Sequence, residues 1–279
     1  IVSRLLALIT EKNIVIKLPD SVPEMVSESL SSLLAGVIIT IVFLIFRALF
    51  AVTPYGNATD CIYTIIQTPL QSLTGNLPAF IIIILIAQLL WFFGIHGSMT
   101  VLPILFPIWL SYIGDNTAAM AAGKTIPHVL NIGLWDLANL GGSGATIGLV
   151  ILMFFKAKSN QYKSFGKLTL PCGIFSVNEP VIFGLPVILN PIMLIPFIIC
   201  PIVLVCLGYA LIQFGIVTAP IGILGLGSMP PLISGIMQGS LSWGIYQLVA
   251  VVISIIIYYP FFKTIDNQAL AKEKGEQGE

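Results

Sequence analysis

The 279-residue chain is 57% hydrophobic and only 9% charged, with 12 basic and 12 acidic residues and a mean hydropathy of +1.02. A soluble globular protein with so few charged residues would lack the polar surface that it needs to face water. The balanced charge gives no large basic surface for nucleic acid. The composition therefore indicates an integral membrane protein without a nucleic-acid partner.

The first 30 residues precede any long apolar stretch. The sequence begins at Ile1 and lacks the basic, apolar and cleavage regions of a signal peptide in their usual order. We therefore expect residues 1–279 to be the C-terminal portion of a longer permease. Residues 1–30 are predicted to be a cytoplasmic linker segment of that permease.

Six stretches are apolar over about 20 residues, the length of a helix that crosses a bilayer. They cover residues 31–52, 77–98, 101–122, 136–155, 191–213 and 241–262. None alternates with a period of two, which would indicate a β-barrel. The sequence therefore predicts an all-α polytopic membrane protein with about six transmembrane helices.

The basic residues outside the spans lie almost entirely on one side of the predicted membrane. Lys124 falls in a loop on the other side, whereas ten basic residues precede the first span or follow the fourth and sixth: Arg4, Lys12, Lys17, Lys156, Lys158, Lys163, Lys167, Lys263, Lys272 and Lys274. Cytoplasmic loops carry the excess of Lys and Arg. We therefore predict that both ends of the chain, including a tail over residues 263–279, are cytoplasmic.

Two further apolar stretches, residues 170–190 and 214–240, contain three prolines each. A proline removes a backbone donor and disturbs the preceding helical turn, so these stretches are predicted to form re-entrant hairpins entered from opposite faces. Irregular backbone at membrane depth is tolerated where protein or a polar cavity satisfies it. Paired interrupted segments therefore indicate a transport site near the middle of the membrane.

Polar side chains in or beside the spans are candidate site residues, because they are costly at membrane depth unless they face a cavity or one another. They are Arg47, Gln88, His96, Asp115, Asn116, Asp136, Asn139, Asn178, Glu179 and Asn190. Arg47 and Asp136 stand near predicted helix ends, where snorkelling or helix capping accounts for them.

The sequence SVNEPVIFGLP, residues 176–186, holds the most informative of these groups. Asn178 precedes Glu179 and Pro180 follows it, which holds the carboxylate on an irregular turn. A carboxylate in that position is suited to accept hydrogen bonds from hydroxyl groups.

His96 stands between Gly94 and Gly97 at the end of the second predicted span. A glycine on each side allows the chain to turn and a ligand to approach the backbone. The predicted topology brings His96 to the same side of the membrane as Glu179. No second His or Cys stands at ligand spacing, so neither a metal nor another cofactor is predicted.

The glycine-rich sequence NLGGSGATIGL, residues 139–149, is not followed by Lys-Ser or Lys-Thr and is therefore not a nucleotide-binding P-loop. Gly144 and Gly148 are predicted to allow close helix packing. Asn139 and Ser143 are candidates to line a cavity.

The polar and aromatic side chains in or beside the spans suit an uncharged, hydroxyl-rich ligand. Carboxylate and carboxamide groups bind hydroxyls, and the four tryptophans offer flat apolar faces to a sugar ring. An anionic substrate would require Arg or Lys in the core, where the sequence offers only Arg47.

Three sequences resemble a known family: SVNEPVIFGLPVILNP, with GIHG upstream of it and IKLPDSVPEMVSESL near the start. They are similar to the membrane-spanning IIC component of the lactose, cellobiose and chitobiose branch of the bacterial phosphoenolpyruvate-dependent sugar phosphotransferase system. The resemblance runs over essentially the whole chain. It implies a bacterial plasma-membrane permease with ten spans, of which this chain holds about six plus the two hairpins.

The resemblance also implies a domain organisation. Residues 31–76 would hold the last span of an N-terminal oligomerisation domain and an external amphipathic segment over 53–76. Residues 77–262 would form the substrate-binding transport domain with both hairpins. The full-length protein would be a homodimer.

The site residues implied by the resemblance are His96 and Glu179, which would hold the sugar near the hydroxyl that becomes phosphorylated. Asn178 would be a neighbouring contact, and Gly97, Asn139 and Ser143 complete the expected binding set. The phosphoryl group would come from a phosphocysteine of a cytoplasmic IIB protein, supplied in turn by IIA and HPr. The chain would then import a β-linked disaccharide and present it to IIB, with His96 or Glu179 accepting the hydroxyl proton.

Two other functions are compatible with the residues alone. An ion-coupled secondary sugar transporter would use Glu179, Asp115 or Asp136 to carry protons or help hold sodium. An intramembrane enzyme would use His96 and Glu179 as acid and base on a lipid-borne substrate, although no nucleophile stands in a recognisable triad motif.

Overall fold

A computed structural model describes residues 2–12, 14, 24–58, 60–61, 75–185 and 187–276. The chain divides into two compact units, Ile1–Thr68 and Pro69–Glu279. The domain boundaries predicted from sequence remain predictions. The external amphipathic segment predicted within residues 53–76 lies largely outside the described residues.

In its described part the first unit contains α1 (Val2–Glu11) and α2 (Glu24–Ala51), and residues 58, 60 and 61 are also helical. Within α2, Ser32–Ala51 is long and apolar enough to cross a membrane, with a mean hydropathy of 2.7. This stretch coincides with the first span predicted from sequence, residues 31–52.

The second unit contains nine α-helices and a short 3₁₀ turn in its described part. They are α3 (Leu77–Phe92), α4 (Gly97–Ala121), α5 (Ile132–Ala138), α6 (Ile147–Lys156), α7 (Asn160–Ile174), α8 (Glu179–Gly184), α9 (Pro191–Gln213), the 3₁₀ turn Leu226–Ser228, α10 (Ile233–Met237) and α11 (Leu241–Glu276). The described residues are helical or irregular and contain no strand, which confirms the all-α prediction.

Three helices of this unit are long and apolar enough to span a membrane: Gly97–Ala121, Pro191–Gln213 and Leu241–Gly275. The predicted span over 77–98 ends early, because α3 has only 16 residues and Gly94 turns the chain with φ of 80°. The window 136–155 is not one helix either. Gly141, Gly142 and Gly144 adopt positive φ values there and separate α5 from α6.

Both proline-rich stretches are interrupted. Residues 170–190 hold the end of α7, a turn, α8 and a second turn, with residue 186 outside the described residues. The break comes later than Pro171, which lies inside α7. Residues 214–240 are mostly irregular, with the 3₁₀ turn and α10 inside them. Helices are therefore interrupted within both stretches, although the first interruption lies after Pro171, and the re-entrant hairpins stay predictions.

Close contacts between helices depend on small residues, as predicted for Gly148. That residue lies against the backbone of Ser254 and Ile255 in α11, and its N–H donates to Ser254 Oγ at 3.0 Å. Gly166 of α7 lies in the same way against Met153 of α6. Helix α6 is therefore packed tightly between α7 and α11.

The end of α11 is bonded to the start of α7. The Asp266 carboxylate accepts hydrogen bonds from the backbone N–H groups of Lys158 and Ser159, at 2.8 and 3.0 Å, and from Ser159 Oγ at 2.8 Å. Glu273 accepts from the N–H groups of Asn160 and Gln161 at 3.0 and 2.9 Å. These bonds satisfy donors that a helix start leaves free. They fix the position of α7, which leads to Glu179.

Candidate functional site

His96 is oriented by its own backbone and by a neighbouring ring. It is the N-cap of α4, and its Nδ1 accepts a hydrogen bond from the N–H of Met99 at 3.2 Å. The neutral tautomer therefore carries its proton on Nε2. The indole of Trp91 lies beside the imidazole, with ring centroids 4.2 Å apart. The two contacts direct Nε2 towards Glu179, whose Oε1 is 3.7 Å away.

Glu179 is the first residue of α8 and follows a tight turn in which Ser176 has φ of 58°. Pro180 occupies the start of the helix, where its missing N–H costs nothing. The side chains of His96 and Glu179 are 37% and 47% exposed. Both groups are thus held in position by their backbones, while their polar ends remain accessible to a ligand.

Asn178 connects the Glu179 turn to the glycine-rich loop by hydrogen bonds. Its side chain is buried, and Nδ2 donates to the carbonyl of Ser143 at 2.7 Å and to Thr146 Oγ1 at 3.0 Å. Gly142, with φ of 98°, lies so close to Asn178 that a Cβ at 142 would collide with its carboxamide. A further bond joins the N–H of Gly141 to Ser176 Oγ at 3.2 Å. The loop predicted to pack helices therefore also supports the Glu179 turn.

Ser98, Asn139 and Ser143 form a small polar cluster next to this turn. The hydroxyls of Ser98 and Ser143 are 3.1 Å apart, and Asn139 Oδ1 accepts from both, at 3.4 and 3.2 Å. Asn139 Nδ2 donates to the carbonyl of Trp135 at 2.8 Å. All three side chains therefore have hydrogen-bond partners inside the protein.

These elements enclose a cavity of about 300 Å³. Its lining residues come from α3, α4, α5, the glycine-rich loop, the Glu179 turn and the 3₁₀ turn: Trp91, His96, Ser98, Met99, Trp135, Asp136, Asn139, Gly142, Ser143, Ser176, Val177, Asn178, Glu179, Gly225, Gly227 and Ser228. The lining contains two acids, one histidine and two tryptophans but no Lys or Arg. This composition suits a neutral polyhydroxylated ligand better than an anion.

Five of the six residues proposed from sequence line this cavity: His96, Asn139, Ser143, Asn178 and Glu179. Gly97 does not. A Cβ at Gly97 would collide with the backbone of Ala87, so this glycine allows α3 and α4 to pack closely. Sequence reasoning assigned Asp136 to a helix end, yet it lines the cavity. The cavity-lining position of Asp136 is visible only in the tertiary structure, because its sequence neighbours give no signal of it.

Three other polar candidates make structural contacts, whereas the buried Gln88 side chain has no hydrogen-bond partner among the described residues. Asn190 caps α9 by accepting from Ile192 and Met193. Asn116 donates to the carbonyls of His128 and Ile221 at 3.0 and 2.8 Å. At the opposite end of α4 from His96, Asp115 Oδ2 lies 2.9 Å from His128 Nε2. No cluster of His, Cys, Asp and Glu among the described residues has the grouping of a metal site.

Comparison with known proteins identifies relatives of this chain. The sequence profile of the family described as "Phosphotransferase system, EIIC" matches residues 1–201. The lichenan permease IIC component of Bacillus subtilis (strain 168) is 37% identical over 271 residues, which are 95% of this chain and 60% of that protein. The cellobiose-specific EIIC component of Geobacillus stearothermophilus is 38% identical over 273 residues, 96% of this chain and 60% of that protein.

A solved structure is similar in fold as well as sequence. The transporter ChbC, the IIC component from the N,N'-diacetylchitobiose-specific phosphotransferase system, matches with a TM-score of 0.72 and 37% identity. The match covers 98% of this chain and 64% of ChbC. The chain therefore spans about three fifths of the length of these relatives.

Proposed function

Because the chain belongs to the EIIC family of the phosphotransferase system, we propose that it carries the sugar site of a permease for a β-linked disaccharide of the cellobiose, chitobiose or lactose class. Its apolar helices and its relatives make it part of a multi-pass bacterial membrane protein. The names of the relatives, which refer to lichenan, cellobiose and diacetylchitobiose, support this substrate class.

The observation that carries the proposal is the pair of His96 and Glu179 at the wall of a cavity without a basic lining residue. The pair offers one donor, Nε2–H, and one carboxylate acceptor to the same sugar hydroxyl. Trp91 is only 2% exposed and supports the imidazole by packing against it. A sugar hydroxyl between Nε2 and Oε1 would use both groups of the pair.

In the proposed reaction, the cavity presents this hydroxyl to the phosphocysteine of a cytoplasmic IIB protein. An O–P bond forms to the sugar as the S–P bond of the donor breaks, and the hydroxyl proton moves to a base. Glu179 is the base in our proposal, because His96 Nδ1 is occupied by Met99 and Nε2 already carries a proton. His96 then holds the oxygen in line with the donor.

The remaining partners follow from the same family. IIA and HPr would deliver the phosphoryl group to IIB, and the full-length permease would form a homodimer. We propose that both ends of this chain face the cytoplasm, because ten of its twelve basic residues lie on that side of the predicted spans.

The proposal is tested with the full-length parent protein in vesicles that contain phosphorylated IIB. Radiolabelled cellobiose, lactose or chitobiose is supplied outside, and the product inside is identified. Wild type should produce sugar phosphate. Glu179→Gln should still bind sugar but phosphorylate it at least about 100-fold more slowly, because the base is lost. His96→Ala should lose both binding and phosphorylation.

Asp115→Asn is the matched control, because it removes a carboxylate that lies outside the cavity. It should transport and phosphorylate like wild type. Accumulation of unmodified sugar that follows a proton or sodium gradient and does not need IIB would contradict the proposal. That result would identify an ion-coupled secondary transporter instead.

A further inference from the structure

The carboxyl group of Asp136 has no hydrogen-bond partner among the described residues. Its Oδ2 is buried, and neither oxygen accepts a bond from backbone or side chain. A buried carboxyl without a partner is costly, because it has given up water without a replacement. The described part of the chain therefore leaves this carboxyl available to a donor group of a ligand.

Several other polar side chains of the cavity have hydrogen-bond partners within the protein, although the buried Trp91 Nε1 has none among the described residues. Ser98, Asn139 and Ser143 bond one another, and Asn178 is bonded to the glycine-rich loop. His96 and Glu179 form the proposed phosphorylation pair. Asp136 is thus the remaining acid of the cavity, and its hydrogen-bonding capacity is unused.

Asp136 lies on a different wall from that pair. It belongs to α5, which packs on the 3₁₀ turn Leu226–Ser228. A Cβ at Gly227 would collide with the Asp136 carboxyl. The carboxyl can therefore occupy its present position only because residue 227 is a glycine. The cavity is therefore polar on two walls, of which one is formed by α5 and the 3₁₀ turn.

A disaccharide presents hydroxyls on both rings, and a single His–Glu pair can hold only one of them. We propose that Asp136 determines specificity by hydrogen-bonding a hydroxyl of the second ring, and that Gly227 keeps the carboxyl in position to do so. This inference rests on the proposed function, since it requires a disaccharide in the cavity with its other ring at His96 and Glu179.

Equilibrium binding to the purified full-length protein tests this assignment. The first ligand is whichever of cellobiose, lactose and chitobiose wild type binds best. The second is the phenyl β-glycoside of the ring held at His96, which replaces the second ring with a group that has no hydroxyls. Asp136→Ala should weaken disaccharide binding about tenfold or more, as expected for a lost hydrogen bond to a carboxylate. Binding of the phenyl glycoside should change less than about twofold.

A second variant and a control accompany this measurement. Gly227→Ala should produce the same selective loss by displacing the carboxyl, even if Asp136→Ala does not fold. Asp115→Ala, which removes a carboxylate outside the cavity, should bind both ligands like wild type. Thermal unfolding of each variant identifies any general loss of folded protein.

The outcomes separate this inference from the function on which it rests. Wild type that binds none of the three disaccharides contradicts the proposed function. If wild type binds one and Asp136→Ala binds it equally well, only the role of Asp136 is overturned. An equal loss for disaccharide and phenyl glycoside would overturn the assignment to the second ring.

Discussion

Gly142 connects the glycine-rich loop to the turn that carries Glu179. Its φ of 98° is one that only glycine adopts without strain, and a Cβ at this position would collide with the Asn178 carboxamide. Asn178 in turn donates two hydrogen bonds to the loop. The position of Glu179 therefore depends on Gly142, a residue that has no side chain with which to contact a ligand.

We expect Gly142→Ala to destabilise the protein and to weaken sugar binding. The new methyl group must displace Asn178, and the positive φ adds strain to it. Thermal unfolding and sugar binding of the full-length protein measure both effects. Gly114→Ala is the control, because a Cβ at that position in α4 meets nothing within 4 Å. Equal behaviour of the two variants would contradict the supporting role of the loop.

At the scale of elements, the Glu179 turn is positioned from both directions along the chain. Helix α7 leads into it, and α7 begins where Asp266 and Glu273 of α11 bind its first N–H groups. Helix α6 packs between α7 and α11. Residues near the end of the chain therefore determine the position of a turn about 90 residues earlier.

Asp266→Ala should lower the stability of the second unit by about 1–3 kcal/mol, because it leaves buried donors without an acceptor. Hydrogen exchange should increase first around residues 157–162. Glu273→Ala should cost less, since its bonds are exposed to water. Thermal unfolding and hydrogen exchange of the full-length protein check these expectations. A larger effect of Glu273→Ala would contradict the importance of the buried carboxylate.

At the scale of the whole molecule, the arrangement in the membrane follows from charge. The exposed residues Lys124 and Lys163 lie on opposite sides of the predicted spans. Because the positive-inside rule counts basic residues in short loops, it places Lys163 in the cytoplasm and Lys124 outside. The cavity with His96 would then open towards IIB, as the proposed phosphorylation requires.

Cysteine labelling in intact cells tests this orientation. In the full-length protein, with Cys61, Cys172, Cys200, Cys206 and any cysteine beyond this chain first replaced by Ser, Lys124→Cys should react with a membrane-impermeant maleimide. Lys163→Cys should react only after the membrane is permeabilised. The cysteine-free protein is the control for background labelling. The reverse pattern would contradict the predicted topology and the access of IIB to the site.

Much of this protein was predictable because its physical causes are local. Composition determines that the chain resides in a membrane, since so few charged residues cannot cover a soluble core. Glycines with positive φ, such as Gly94 and Gly141, lie where helices end, because they act on the adjacent backbone, whereas prolines such as Pro171 and Pro196 lie inside helices. The sequence SVNEPVIFGLP indicated the family, and the comparisons confirm it. The binding and catalytic roles of His96 and Glu179 stay predictions.

Other features required the tertiary structure because they depend on residues distant in sequence. His96 Nε2 and Glu179 Oε1 are 3.7 Å apart, although the two residues are 83 positions apart in sequence. Gly97 looked like a ligand contact in sequence, but the backbone of Ala87 occupies its surroundings. Asp136 lies in the last turn of α5, as a helix-end residue would, but several elements distant in sequence, including the turn with Gly227, make it part of a cavity wall. The sequence by itself determined that the chain belongs in a membrane and that residues 170–190 and 214–240 are not continuous helices. The tertiary structure revealed the break between α5 and α6, and packing decided which polar groups meet.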